Sequence, residues 1–198
     1  RLWPLAKLVR GYLDVRGRYR DGLETFRTAE AALTEQVEGA GEGAGEGAED
    51  DPELRAWLRE SVGLFLTHRG EHEAGARAAE DALSLLADRP ASESAALAHN
   101  TLGIARAYLG DVDGARAAFE AAATTRRALG DAVGEAQAHG NVALLLEQAG
   151  RADEAAPALR DAIRAYRTVG HASGLSLALA RLALIERRRG DDEDDEER

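Results

Sequence analysis

The 198-residue chain has no cysteine and no methionine, only four prolines, and aromatics make up just 5%. Without cysteine there is no disulfide framework, no thiolate metal site and no thiol nucleophile. No apolar run approaches the length of about 18 residues that a membrane-spanning helix needs, and the opening residues do not lead us to expect a signal peptide. A cytoplasmic location and no contact with membrane are therefore expected. The absence of any methionine leads us to expect an excised or processed piece of a longer protein. Lysine is almost missing too: Lys7 is the one lysine among 25 cations.

Acid is abundant but uneven. The formal net charge is −11. Residues 38–51 (EGAGEGAGEGAEDD) carry a charge of −6, and residues 191–198 (DDEDDEER) carry another −6. The rest of the chain is close to neutral. Such acidic runs repel themselves and offer nothing apolar to bury, so a disordered insertion at 38–51 and a solvated acidic tail at 191–198 are expected. Nucleic acid is not expected as a partner, because phosphate contacts need clustered cations.

A repeat runs through what remains. Gly70, Gly110, Gly150 and Gly190 recur every 40 residues, and Gly17 precedes Gly70 by 53, the acidic insertion supplying the excess. Twelve residues after the first four of these glycines, taken from Gly17, stand Ala29, Ala82, Ala122 and Ala162. Five after Gly110 and Gly150 stand Ala115 and Ala155, with Gly22 and Gly75 at the matching earlier sites. Seven before the five glycines come Arg10, Gly63, Gly103, Ala143 and Ala183. Small residues recur where two helices must approach closely.

Each unit reads as two amphipathic helices. Val133, Ala136, Val142, Leu144, Leu145 and Leu146 share one face of a helix over 132–149; Ala155, Leu159, Ala162, Ile163 and Tyr166 share a face of the next, over 153–169. Gly150 suits the left-handed turn position between them and Asp153 the following N-cap. Gly130-Asp131 and Gly170-His171 close units, Pro90 takes the equivalent place earlier, and Ser92 and Ser94 start a helix. Pro157 conflicts with a helix interior and predicts a distorted first turn. No window alternates with period two, so no strands are expected. Such Ala-rich hairpins bury too little area alone; stacking them makes one continuous core. The expected fold is all-α, a solenoid of about four and a half helical hairpins in a right-handed superhelix. It forms a single array over 1–190, with repeats near 2–37, 52–89, 91–130, 131–170 and a half-repeat 172–190.

Leu102-Gly103, Gly110, Ala115, Phe119 and Ala122, with Gly17, Phe26 and Ala29 earlier, resemble the tetratricopeptide repeat signature. Gly22, Gly75 and Ala79 depart from it, which makes the second repeat the least regular. The long period is similar to that of the C-terminal arrays of bacterial signal-transduction NTPases, antibiotic regulatory proteins and maltose-type activators, and the opening LWPLAKLVRGYLDVRGRYRDGLETF (2–26) resembles the first repeat after the winged-helix part of such NTPases. The resemblance implies a groove lined by the first helix of each pair. Inward positions would then be Lys7, Trp57, Glu60, His68, Asn100, Thr101, Tyr108, Gln137, Asn141, Gln148, Arg181 and Arg188. Carboxamides there suit a peptide backbone, and Trp57 and Tyr108 suit side-chain anchors. The alternative is that the amides only satisfy neighbouring helices.

Other motifs carry less. His68 and His72 flank Gly70, which spoils a shared helix face for a metal and leaves them as exposed turn residues. His99 and His139 occupy one repeat position, which packing alone explains. Residues 39–47 (GAGEGAGEG) lack the spacing, the strand and the lysine of a phosphate loop. No serine sits in a nucleophile elbow. No catalytic site, cofactor or metal is expected.

Helix 174–189 has more apolar residues than one contact face needs. Leu175, Leu177, Leu182, Leu184 and Ile185 point to a missing partner helix or to self-association as a homo-oligomer. The expected function is a non-catalytic protein- or peptide-binding arm of a larger bacterial regulatory or defence protein, which binds a polypeptide or its own neighbouring domains. A small-molecule sensor arm and a self-association scaffold are the alternatives.

Overall fold

The computed structural model describes the backbone of residues 3–39 and 51–196, with side chains over 4–36 and 51–188. The described residues form nine α-helices and no strand. They divide into two compact units, Arg1–Gly110 and Asp111–Arg198. The first unit holds α1 (Trp3–Val15), α2 (Tyr19–Gly39), α3 (Pro52–His68), α4 (His72–Ser84) and α5 (Glu93–Tyr108). The second holds α6 (Val112–Ala128), α7 (Ala132–Gln148), α8 (Ala152–Val169) and α9 (Ala172–Glu196).

Glycine sets the turns. Gly70, Gly110 and Gly150 have φ of +83°, +80° and +73°, a left-handed conformation that a side chain disfavours. Around Gly70, the Gly70 N–H donates to the Thr67 carbonyl (3.0 Å) and the Glu71 N–H to the Leu66 carbonyl (3.0 Å). This double closure satisfies two of the carbonyls that a helix end leaves open. The Gly150 turn repeats it, through Gly150 to Glu147 and Arg151 to Leu146. Asp51, Ser92, Asp111 and Asp131 then cap α3, α5, α6 and α7, each accepting a backbone N–H.

Several expectations are corrected. Gly190 is no turn: it lies inside α9, which continues to Glu196. Helix therefore runs through 191–196 of the expected acidic tail. Asp153 is not the cap of α8; Arg151 holds that position, and Asp153 sits in the first turn, where its charge suits the helix dipole. The α8 helix passes through Pro157 without a break. Of the acidic insertion, residues 40–50 lie outside the described residues, whereas Gly39 ends α2 and Asp51 caps α3.

The first unit's core is built around aromatic rings. Trp57, Val62, Phe65 and Leu66 of α3 pack with Leu23 and Phe26 of α2 and Leu13 of α1. Phe26 stacks on Phe65 at 5.6 Å and meets Trp57 edge-on at 5.5 Å. Here the irregular glycines find their reason. A Cβ on Gly22 would lie 2.5 Å from the Phe65 ring, and one on Gly75 would lie 2.2 Å from Thr67 Oγ1 and 3.0 Å from the Gly63 carbonyl oxygen. These positions carry no side chain because a ring or a neighbouring helix backbone occupies the space. In the second unit α7 packs between α6 and α8, and α8 against α9. Its core comprises Ala-rich faces joined by Phe119, Leu146, Leu159, Ile163 and Tyr166.

Candidate functional site

The groove residues expected from sequence separate into two groups. In the first unit, Trp57, Glu60 and Thr101 are core, not surface. Glu60 is 0% exposed and accepts hydrogen bonds from Arg10 Nη2 (2.9 Å) and Thr101 Oγ1 (2.7 Å). Arg10 also lies over the Trp57 ring, 6.0 Å from its centre. One charged pair and one hydroxyl thereby tie α1, α3 and α5 together, and these groups are withdrawn from any ligand. Nearby, Lys7 pairs with Glu93, and His68 meets Asp14 at 3.3 Å and stacks on Tyr19 at 4.8 Å. The turn histidines are thus engaged: His72 stacks on Tyr108 at 4.5 Å. Asn100 is half-buried, and Tyr108 remains 69% exposed.

The second unit keeps its polar face open. On α7, Gln137 and Gln148 are exposed, with Asn141 and Leu144 half-buried. Spacings of four, three and four residues place all four on one helix face. On α9, Leu177, Arg181, Leu184 and Arg188 follow the same spacings, each 40 residues after its α7 counterpart. Leu177 is 57% exposed and Leu184 40%. Arg181 Nη1 reaches Glu147 of α7 at 2.7 Å, which ties this stripe of α9 to α7. The two matched stripes therefore offer carboxamides, open leucines and the exposed Arg188 together, while Arg181 is held by Glu147.

This arrangement joins two sets that sequence reasoning kept apart. Leu177 and Leu184, expected from sequence to serve self-association, share a stripe with Arg181 and Arg188. The signal was present, since Leu177 is 40 residues after Gln137. Ile185 is 4% exposed and packs inward with Ala178, so it belongs to the unit's core and is corrected from the self-association set. Leu175 and Leu182 are half-buried.

Titration is perturbed at a few sites. Burial lowers the pKa of His99 on α5 and raises that of the Tyr166 phenol. The Gly134 backbone N–H, ahead of Arg126, lowers the pKa of Asp131 at the cap of α7. None of these groups converges on a shared cleft. Among the described residues, no group of three or more His, Asp or Glu is placed to hold a metal ion. No described helix is long and apolar enough to cross a membrane.

Comparison with known proteins agrees with the hairpin geometry. Residues 93–168 match the tetratricopeptide repeat family. The crystal structure of BtubC (BKLC) from P. vanneervenii is similar at a TM-score of 0.77 and 18% identity, over 96% of this chain and 74% of that one. A protein of nearly identical TPR-like repeats from Podosopora anserina is similar at 0.64 and 14%, over 96% of each chain. No curated protein is significantly similar in sequence. At these identities the likeness concerns the fold: a TPR-like array of helical hairpins, with residues 93–168 tetratricopeptide repeats in sequence as well. Repeats of this kind generally mediate contacts between proteins.

Proposed function

We propose that the chain is a non-catalytic module that binds a protein or peptide along the α7–α9 face. The observation that carries this reading is the pair of matched stripes, Gln137/Asn141/Leu144/Gln148 and Leu177/Arg181/Leu184/Arg188. A carboxamide both donates to and accepts from a peptide backbone, and a guanidinium pairs with a carboxylate. Leucines left open beside them offer area to a partner's apolar side chains. Polypeptide is the ligand class that uses all three at once. By its resemblance to arrays of bacterial regulators, the module serves as the sensing or interaction arm of a larger cytoplasmic signalling or defence protein. Nucleic acid has no role in this reading.

The test uses the whole chain. A polypeptide captured on it is purified and titrated calorimetrically against wild type and L177D/L184D. Covering each partly exposed leucine contributes about 1 kcal/mol, so the double variant should bind at least tenfold more weakly. N141R should weaken binding as well. Undiminished affinity in both variants would remove the α7–α9 face from consideration. If the captured polypeptide is the chain itself, the same face serves self-association.

A further inference from the structure

Helix α1 is turned inside out. The side chains it directs into the fold are Ala6, Lys7, Arg10, Leu13 and Asp14, and of these only Leu13 is large and apolar. The three charged ones each have a partner on another helix. Lys7 pairs with Glu93 of α5, Arg10 with Glu60 of α3 at 2.8 Å, and Asp14 meets His68 of α3 at 3.3 Å.

The apolar residues lie on the other side. Leu5, Leu8, Val9, Tyr12 and Val15 share one helix face by their spacing. Leu8 is 71% exposed and Val15 86%, and none of the five falls below 37%. No charged side chain interrupts this stripe. Arg16 closes its end, lying 5.8 Å from the centre of the Tyr12 ring. A helix normally turns such a stripe to the core. Here ion pairs hold the inner side of α1, and the apolar side faces solvent.

Gly11 points the same way. It stands in the middle of α1, where glycine is a poor helix former. A Cβ there would meet nothing within 4 Å, so packing inside this chain does not require a glycine. Gly22, Gly63 and Gly75 differ, because another part of the chain fills the space beside each. Gly11 borders the stripe, three residues from Leu8 and four from Val15. A missing side chain at that spot lets a helix from outside the chain come close.

From this we infer that α1 pairs with α1 of a second copy of the chain, antiparallel about a two-fold axis near residue 10. Leu5, Leu8, Tyr12 and Val15 are spaced by three, four and three residues. That order reads the same in both directions, as a self-complementary contact requires. Leu5 then meets Val15 of the partner subunit, and Leu8 meets Tyr12 of the partner subunit. If each of the five side chains gives up on the order of 100 Å², the pair buries about 1,000 Å², the size at which a specific but weak interface begins. Each chain has a net charge of −11, yet the stripe contains no acid, and the two Arg16 stand at opposite ends. The contact therefore brings no like charges together. A charged peptide would find no counter-charge on this face, and an anionic lipid surface would be repelled by the chain's net charge.

The experiment is sedimentation equilibrium on the full chain, up to millimolar concentration. The apparent mass should rise with concentration from that of one chain to that of two. L8E/Y12E should weaken association about a hundredfold, because each change counts twice in a symmetric pair. G11A should weaken it severalfold while leaving the chain at least as resistant to urea, which separates loss of contact from loss of fold. L177D/L184D should leave it unchanged, and circular dichroism checks that the variants stay helical. The chain has no cysteine, so single cysteines report the pairing: L5C mixed with V15C should cross-link in preference to L5C with itself. Three results would overturn the inference: a mass that stays at one chain throughout, association that survives L8E/Y12E, or L5C that cross-links to itself as readily as to V15C. Loss with L177D/L184D in place of L8E/Y12E would move self-association to the α7–α9 face, which overturns the α1 pairing and leaves the proposed function standing.

Discussion

Replacing Gly22 by alanine sets two effects of opposite sign against each other. Inside a helix, alanine is preferred to glycine by about 0.8–1 kcal/mol, because glycine loses more backbone freedom on folding. At Gly22 in α2 the new Cβ would lie 2.5–2.6 Å from three atoms of the Phe65 ring. Ordinary contact begins about 1 Å farther out. Phe65 is fully buried and stacked on Phe26, so the ring has no free direction in which to move. Overpacking of this kind costs about 1–3 kcal/mol. The net expectation for G22A is a loss of up to about 2 kcal/mol. Gly11 in α1 supplies the control, since a Cβ there meets nothing within 4 Å. G11A should stabilise by up to about 1 kcal/mol, because the propensity gain is unopposed. Both tryptophans, Trp3 and Trp57, belong to the first unit, so their fluorescence during urea unfolding reports that unit. F65L in the G22A background should return most of the loss relative to F65L alone. A G22A protein as stable as wild type, with G11A unchanged, would refute the reasoning.

E60Q should destabilise the first unit by about 2–4 kcal/mol, because it leaves the Arg10 guanidinium without its counter-charge in a nearly dry site. Urea titration by tryptophan fluorescence measures this, and a change below about 1 kcal/mol would mean that water reaches Arg10 freely. His99 gives a pH dependence. Burial lowers its pKa in the folded chain, so the unfolded chain binds the proton more readily. The stability this provides is complete above the unfolded pKa of about 6.5 and is lost as pH falls through the folded value. Between pH 7.5 and 5.5 wild type should therefore lose more stability than H99Q; equal losses would show that His99 contributes nothing.

Much of the fold is legible in local chemistry. The 40-residue recurrence of glycine at 70, 110 and 150 marks left-handed turns because no other residue takes that conformation cheaply. The apolar faces of 132–149 and 153–169 become α7 and α8 within a residue or two of their ends. The candidate site was half legible. Gln137, Asn141, Gln148, Arg181 and Arg188 stand on the α7–α9 face because their repeat register places them there. Trp57, Glu60 and Thr101 share a similar register but are buried, since α1 lies against them and Arg10 supplies the counter-charge.

Periodicity, turn glycines and caps are properties of neighbours along the chain, so the sequence by itself determined the all-helical hairpins and their step. Burial and charge pairing join residues up to 86 positions apart, as Lys7 and Glu93 show. Only the tertiary structure decided that Gly22 admits the Phe65 ring and that Glu60 is consumed by Arg10. The physical reason is that a side chain's availability depends on what packs over it, and a distant segment supplies that cover.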